Sequence, residues 1–88
     1  MRLDLFLKFS RLVPRRTLAQ ELCEAGAVKV NDSPAKSSRE TREGDLITIR
    51  SRGRLTTVRV VNVPSKPPSK AQAASLYENV SVETYDVD

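Results

Sequence analysis

Apolar and polar positions in the first part of the chain alternate with a helical period. Between residues 3 and 12 the apolar side chains recur at the spacing of one helix face, which predicts an amphipathic helix over this range. Pro14 disfavours a helical conformation just before it and suits the first turn of a helix, so a second helix is predicted from residue 14 or 15 to about Ala25. Gly26 stands where a left-handed terminating residue is preferred. Two short helices joined by a tight turn are therefore expected.

After Gly26 the period of the apolar positions changes to two, as expected for strands. A short strand is predicted over residues 28–30, followed by the turn residues of 31–34. Two longer strands are predicted over residues 46–50 and 55–63, where β-branched side chains alternate with polar ones. The predicted fold class is therefore α+β, with two amino-terminal helices packed on a small antiparallel sheet and a short carboxy-terminal tail.

The last third of the chain has a different composition. Residues 64–70 are too rich in proline and serine to pack and are expected to form an extended linker, so the folded domain is predicted to span residues 1–63. Residues 71–88 are expected to form a short helix and a partly ordered acidic tail, because isolated helices of this length are marginal in water.

Charge and rare residue types narrow the function. Residues 1–60 hold thirteen Lys+Arg and seven Asp+Glu, a balance of +6 within the net +4 of the chain, so a polyanionic partner is expected. The chain has no His and one Cys, which removes the commonest general base and any multi-cysteine zinc site. We therefore expect no catalytic residue, no metal and no cofactor. Without an export signal, paired cysteines or an apolar run of membrane-spanning length, a cytoplasmic protein with no membrane partner is expected.

The densest positive charge lies at the predicted junction of the two helices. Arg15 and Arg16 fall in the first turn of the second helix, where cations oppose the helix dipole and unpaired backbone N–H groups favour a bound anion such as phosphate. The alternative is that both side chains simply extend into solvent. Lys8 and Arg11 project from the preceding helix close to this junction, which favours the anion. The candidate RNA-binding residues are Arg2, Lys8, Arg11, Arg15, Arg16, Lys29, Asn31 and Lys36.

Some of these residues and their neighbours have other interpretations. Lys29 and Lys36 would extend the basic surface only if the loop after the first strand folds back towards the helices, and Asn31 has ordinary turn chemistry as its alternative. Asp4 could cap the first helix, pair with Lys8 or orient an arginine for RNA, and capping is favoured.

Four arginines surround the predicted turn at residues 51–54. They form either a second phosphate-contacting patch or charged protection of an exposed sheet edge, and edge protection is favoured. The four are Arg50, Arg52, Arg54 and Arg59. No strand carries an aromatic pair for stacking on single-stranded bases, so structured RNA recognised by shape and phosphate is expected.

Three segments in this order resemble the alpha-L RNA-binding domain of a small-subunit ribosomal protein: RLDLFLK at residues 2–8, RRTLA at residues 15–19 and EAGAVKVN at residues 24–31. The similarity covers residues 1 to about 60 and implies two helices against a small antiparallel sheet. With the added segment AASLY at residues 73–77, nearly the whole chain resembles RqcP, the Hsp-fifteen-like family of bacterial ribosome-associated quality-control factors.

The resemblance implies a non-catalytic RNA-binding factor. Members of this family bind rRNA and tRNA on obstructed large ribosomal subunits and stabilise peptidyl-tRNA while a partner, RqcH, adds an alanine tail to the stalled chain. By position, Arg2 and Arg16 would contact rRNA or tRNA, and Pro14 departs from the basic residue of the family. The residues that would extend this surface are Lys8, Arg11 and Arg15.

The implied partners are the large ribosomal subunit with its rRNA, peptidyl-tRNA and an RqcH-like tailing factor, and the free protein is expected to be a monomer. Three other functions stay open. A Hsp-fifteen-like factor would recycle blocked large subunits without promoting tail synthesis, although the longer basic tail of that relative is absent here. A protein-interaction adaptor would dock a partner through the acidic tail and use the basic face only for solubility. A duplex-DNA binder of helix-turn-helix type is less favoured, because the predicted sheet follows the helices directly.

Overall fold

The computed structural model describes residues 1–85 and has the predicted α+β class, with two helices packed on one face of a five-stranded antiparallel sheet. In chain order the elements are α1 (Leu3–Phe9), α2 (Arg16–Glu24), β1 (Val28–Val30), β2 (Ser33–Pro34), β3 (Leu46–Ser51), β4 (Arg54–Val60), α3 (Lys70–Ala73), a 3-10 turn (Ala74–Leu76) and β5 (Tyr77–Thr84). No helix within residues 1–85 has the length and apolar character needed to cross a membrane.

Helix α1 ends before its predicted limit because the chain turns after it. The Ser10 hydroxyl donates to the Leu7 carbonyl oxygen at 3.1 Å, and the Val13 backbone N–H donates to the same oxygen at 3.1 Å. Arg11 takes a left-handed conformation in this turn, with φ +62°. Helix α2 then begins at Arg16, so the junction between the helices is longer than the predicted tight turn.

The sheet buries one face against α1 and α2. Its strands run in the order β2-β1-β3-β4-β5, and each is antiparallel to its neighbours. Alternation with a period of two places the apolar side chains of β1, β3 and β4 on the inner face, as predicted. The core includes Leu3, Phe6 and Leu7 of α1 with Val28, Val30, Ile47, Ile49, Val58 and Val60 of the sheet.

Two-residue turns with a left-handed backbone join the paired strands. Asn31 and Asp32 connect β1 to β2 with φ +52° and +68°, and Arg52 and Gly53 connect β3 to β4 with φ +53° and +77°. Such turns match the right-handed twist of the flanking strands, and asparagine, aspartate and glycine adopt them most readily. Arg52 is the exception to that preference.

Part of the segment predicted to be an acidic tail forms the fifth strand. After the linker, α3 and the 3-10 turn bring Leu76 into the core, and β5 begins at the next residue. β5 then pairs with β4 from Val60↔Tyr77 to Arg54↔Thr84, with one register shift between these ends. Residues 77–84 are therefore part of the sheet.

The strand β5 escapes prediction from sequence because it lies at an edge of the sheet. Most of its side chains are exposed, including those of Val80 and Val82, so burial does not mark it with an apolar alternation. The expectation of a partly ordered tail is thus wrong for residues 77–84, and the part of that expectation at residues 86–88 lies outside the described residues. β4 ends at Val60 rather than at residue 63, since the next two backbone N–H groups donate to the Leu76 carbonyl oxygen.

Candidate nucleic-acid interface

A buried carboxylate joins the starts of the two helices. Asp4, the second residue of α1, has no solvent exposure. Arg2 donates to it as a fork, from Nε to Oδ1 at 3.2 Å and from Nη2 to Oδ2 at 3.3 Å. Arg16 donates from Nε to Oδ2 at 3.2 Å, and Gln20 of the same helix donates from Nε2 to Oδ2 at 2.9 Å. We call Arg2, Asp4, Arg16 and Gln20 the arginine cluster.

Hydrogen bonds keep the Asp4 carboxylate ionised despite its burial. Burial alone would raise the pKa of Asp4, but donation from Gln20 and both arginines, together with the Leu5 backbone N–H at 2.8 Å, more than offsets this effect. The pKa of Asp4 therefore lies below its ordinary value of 3.8. The carboxylate is negative at neutral pH and holds both guanidinium groups.

The two arginines of the cluster still face solvent. Their side chains are 45% exposed for Arg2 and 42% exposed for Arg16. Within residues 1–85 Arg16 donates only from Nε, so both of its terminal NH2 groups are available to a ligand. A planar guanidinium group matches phosphate, and its side chain is already held by Asp4. A phosphate would therefore bind here with a reduced loss of side-chain freedom.

A loop after β2 fixes the backbone on the amino-terminal side of the cluster. The Leu3 N–H donates to the Arg39 carbonyl oxygen at 2.8 Å, and the Thr41 N–H donates to the Met1 carbonyl oxygen at 2.8 Å. These bonds flank Arg2, the N-cap residue of α1, whose backbone is extended. The position of Arg2 is thus set by the loop as well as by the carboxylate.

The start of α2 adds positive charge beside the cluster. Arg15 is the N-cap residue and Arg16 the first helical residue, and the helix has neither a side-chain cap nor an acidic residue in its first turn. Its backbone N–H groups and dipole therefore add to the charge of the arginines. Arg15 is exposed and forms no ion pair within the described part of the chain.

Lys8 and Arg11 lie at the other end of α1. Both are exposed, and they line one shallow depression with Pro14 of the helix junction and with Pro67 and Pro68 of the linker. Neither forms an ion pair with any of residues 1–85. The basic surface therefore extends from the arginine cluster along α1 to the helix junction.

Known proteins are similar to this chain over most of its length. The S4 domain family matches residues 1–47, which contain the whole arginine cluster. A Halalkalibacterium halodurans protein named RQC P-site tRNA stabilizing factor is 49% identical over 78 residues, which are 89% of this chain and 88% of the relative. The Bacillus subtilis protein of the same name is 44% identical over 77 residues, 88% of each chain. The chain belongs to this S4-domain family of RQC P-site tRNA stabilizing factors.

The family resemblance inferred from the sequence motifs is thereby confirmed. A solved structure agrees with it: Vibrio cholerae heat shock protein 15, described as a trimer at 2.3 Å resolution, has a TM-score of 0.84 and 28% sequence identity, over 92% of this chain and 82% of that chain. The S4 match ends within β3, so β4, α3, the 3-10 turn and β5 of this S4-domain protein lie beyond it.

Three predicted site residues of this S4-domain protein lie away from the arginine cluster. Lys29 lies on the outer face of the sheet, and Lys36 lies in the loop after β2, beside the end of α2. Asn31 uses its amide within the fold, since Nδ2 donates to Asp45 at 3.2 Å and Oδ1 accepts from the Leu46 N–H at 3.0 Å. The structure therefore does not bring these three residues to the cluster, and their contact with RNA stays a prediction.

Sequence reasoning missed the role of Asp4 and the participation of Gln20. The favoured interpretation, that Asp4 caps α1, is wrong: the N-cap residue is Arg2, and Asp4 lies inside the helix. Its carboxylate instead orients two arginines, which was one of the less favoured alternatives. Gln20 lies one helical turn after Arg16 and shares its helix face, and this spacing is the sequence signal that could have indicated a common partner.

Proposed function

We propose that this protein stabilises P-site tRNA in ribosome-associated quality control by holding RNA phosphates with the arginine cluster. Relatives that are similar over most of both chains carry that activity in their name. The observation that carries the proposal is the buried Asp4 carboxylate, which orients Arg2 and Arg16 while leaving both side chains nearly half exposed.

The arginine cluster is better suited to binding phosphate groups than to recognising individual bases. Guanidinium groups can donate to two phosphate oxygens at once, and contacts to the backbone position an RNA without reading its sequence. The uncapped start of α2 adds further N–H donors next to Arg16. Such a phosphate-binding site would hold a tRNA of any sequence. A factor that acts on many different stalled chains needs this property.

The proposal extends to the partners that the sequence resemblance implies. The bound particle would be an obstructed large ribosomal subunit with peptidyl-tRNA, contacted through rRNA as well as tRNA, and an RqcH-like factor would add the alanine tail. The protein would act in the cytoplasm without catalysis and be a monomer when free. Lys8, Arg11 and Arg15 would extend the contact surface, because all three are exposed and lack an ion pair within residues 1–85.

Sucrose-gradient fractionation of lysate tests this function with wild type, Arg16→Gln and Arg42→Gln. Arg42 is exposed and outside the cluster, so Arg42→Gln removes the same charge elsewhere. At low salt we expect wild type and Arg42→Gln to co-migrate with large subunits that carry peptidyl-tRNA. Arg16→Gln should bind about tenfold more weakly, the typical effect of losing one charge-assisted hydrogen bond. Wild type that stays at the top of the gradient at low and at high salt would overturn the proposal.

A second function is favoured by the likeness to Vibrio cholerae heat shock protein 15. A factor of that kind would recycle blocked large subunits and would bind the same particle, so the gradient does not separate the two functions. A reconstituted reaction does, with purified obstructed subunits, an RqcH-like factor and alanine-charged tRNA. Longer alanine tails in the presence of the protein support tRNA stabilisation, whereas unchanged tails with faster release of peptidyl-tRNA support recycling.

A further inference from the structure

A second basic groove lies at the tip of the β3–β4 hairpin. It runs between the helix junction and the end of the inner sheet face, and we call it the hairpin groove. Arg11 borders it from the junction, Arg52 and Arg54 border it from the hairpin, and Tyr77 borders it from the start of β5. The arginine cluster lies at the opposite end of α1, about 10 Å away along a helix of this length.

The three arginines of the hairpin groove are not neutralised within the fold. No acidic residue among residues 1–85 lines the groove, and Arg11, Arg52 and Arg54 form no ion pair there. Other arginines do have carboxylate partners: Arg39 pairs with Asp45, for example. The groove therefore concentrates three positive charges without a compensating one.

Two of these arginines occupy unfavourable backbone positions. Arg11 has φ +62° and Arg52 has φ +53°, both in the left-handed region where glycine or asparagine is favoured. Neither side chain is buried, so packing does not explain the choice of arginine at either position. Two arginines with a left-handed backbone beside the same groove, neither of them needed for packing, therefore point to a role in binding.

Protection of a sheet edge, the favoured interpretation from sequence, does not explain the arginines of the hairpin. β4 pairs with β3 on one side and with β5 on the other, so Arg54 is not on an edge strand. Arg59, further along β4, forms an ion pair with Glu78 of β5, which links the side chains of these two strands.

We propose that the hairpin groove binds the phosphodiester backbone of RNA, as a second contact in addition to the arginine cluster. This inference rests on the proposed function for the identity of the RNA. Arg11 lines both the hairpin groove and the depression that holds Lys8, so the groove continues the basic surface already assigned to RNA. Guanidinium groups bind phosphate oxygens, and three of them lie around this groove.

The salt dependence of binding tests this second contact. We compare wild type, Arg52→Asn, the double variant Arg52→Asn/Arg54→Gln, and the control Arg42→Gln, which removes the same charge as Arg52→Asn. Purified large ribosomal subunits and total tRNA are two separate probes. Each lost phosphate contact should lower the slope of log affinity against log salt by about 0.7–0.9. The double variant should therefore lose about 1.5 in slope, and Arg42→Gln should match wild type. Because asparagine suits a left-handed turn, Arg52→Asn should melt at or above the wild-type temperature while binding RNA more weakly.

Each outcome decides for or against the hairpin groove. A double variant with the wild-type slope on both probes overturns the groove, and it leaves the proposed function standing if Arg16→Gln still weakens binding to large subunits. A loss of slope in Arg42→Gln equal to that in Arg52→Asn would show a general charge effect and would also overturn it. A loss of slope on tRNA by a protein that does not bind large subunits supports the groove while refuting the proposed function. Tighter binding of poly-glutamate than of tRNA, lost in the double variant, would assign the groove to an acidic protein instead.

Discussion

Removal of the Asp4 side chain tests whether the arginine cluster is held by its carboxylate. In Asp4→Ala the guanidinium groups of Arg2 and Arg16, the Gln20 amide and the Leu5 backbone N–H lose their common acceptor. The variant therefore removes the centre of the cluster but leaves every positive charge in place. Stability and RNA binding should both fall, although the net positive charge rises.

The size of the stability loss follows from the exposure of the partners. Breaking a fully buried ion pair costs about 3–5 kcal/mol, because the remaining charge is left without solvent or partner. The arginine side chains here are 45% and 42% exposed and can regain water, so we discount that range to about 2 kcal/mol. In a domain of this size such a loss lowers the melting temperature by about 8–16 °C.

Urea unfolding followed by circular dichroism measures this free energy, with Arg42→Gln as the surface control. We expect a lower urea midpoint with an unchanged slope for Asp4→Ala, and a change within about 0.5 kcal/mol for the control. The large-subunit affinity of the folded variant, measured well below its melting temperature, should also fall because the arginines are no longer oriented. A free energy of unfolding equal to that of wild type would refute the structural role assigned to Asp4.

Four further predictions concern the titration of Asp4 and three other features of the fold. Because the pKa of Asp4 is lowered in the folded state, its ionised carboxylate stabilises the fold above about pH 4, and this stability is lost as the pH falls through the folded-state pKa. In urea titrations Asp4→Asn should therefore lose less stability than wild type between about pH 5 and pH 2. Burial, with the nearby charges of Asp4 and Glu24, raises the pKa of Cys23 to about 11, so a thiol reagent at pH 8 should label it only on unfolding; rapid native labelling would contradict this. Gly26 has φ +74°, and no atom of a residue beyond its chain neighbours in the described part of the chain lies within 4 Å of an added Cβ. Gly26→Ala should therefore cost only the left-handed conformation, about 1 kcal/mol by thermal melting. Truncation after Leu76 removes β5 and should lower the urea midpoint clearly more than Arg59→Gln, which breaks only an exposed ion pair; equal midpoints would mean that β5 adds no stability.

The elements with a buried face were predictable from the sequence. The apolar spacing of α1 and α2 and the alternation in β1, β3 and β4 reflect burial against one core, and these elements appear close to their predicted places. Gly26 has the predicted left-handed conformation at the end of α2. Arg15 and Arg16 lie at the start of α2, and Lys8 and Arg11 lie at the end of α1 and in the junction after it, close to the positions predicted from the sequence.

The features that sequence reasoning missed depend on contacts between distant segments. Asp4 looks like a local cap until α2 brings Arg16 and Gln20 against it. Arg11 has a left-handed conformation although it is neither glycine nor asparagine, so no residue type near this position indicates that α1 ends early. β5 depends on backbone pairing with β4, which leaves no periodic pattern of side chains.

The pairing of β5 with β4 sets an order of events while the protein is being synthesised. β4 is synthesised before the linker, α3 and β5, so its outer edge has no partner until residues up to Thr84 have been made and the chain has left the ribosome. Unpaired strand edges invite association with other chains. A copy that ends inside the linker would therefore, once released from the ribosome, carry its arginine cluster on a sheet with an open edge that can pair with other chains.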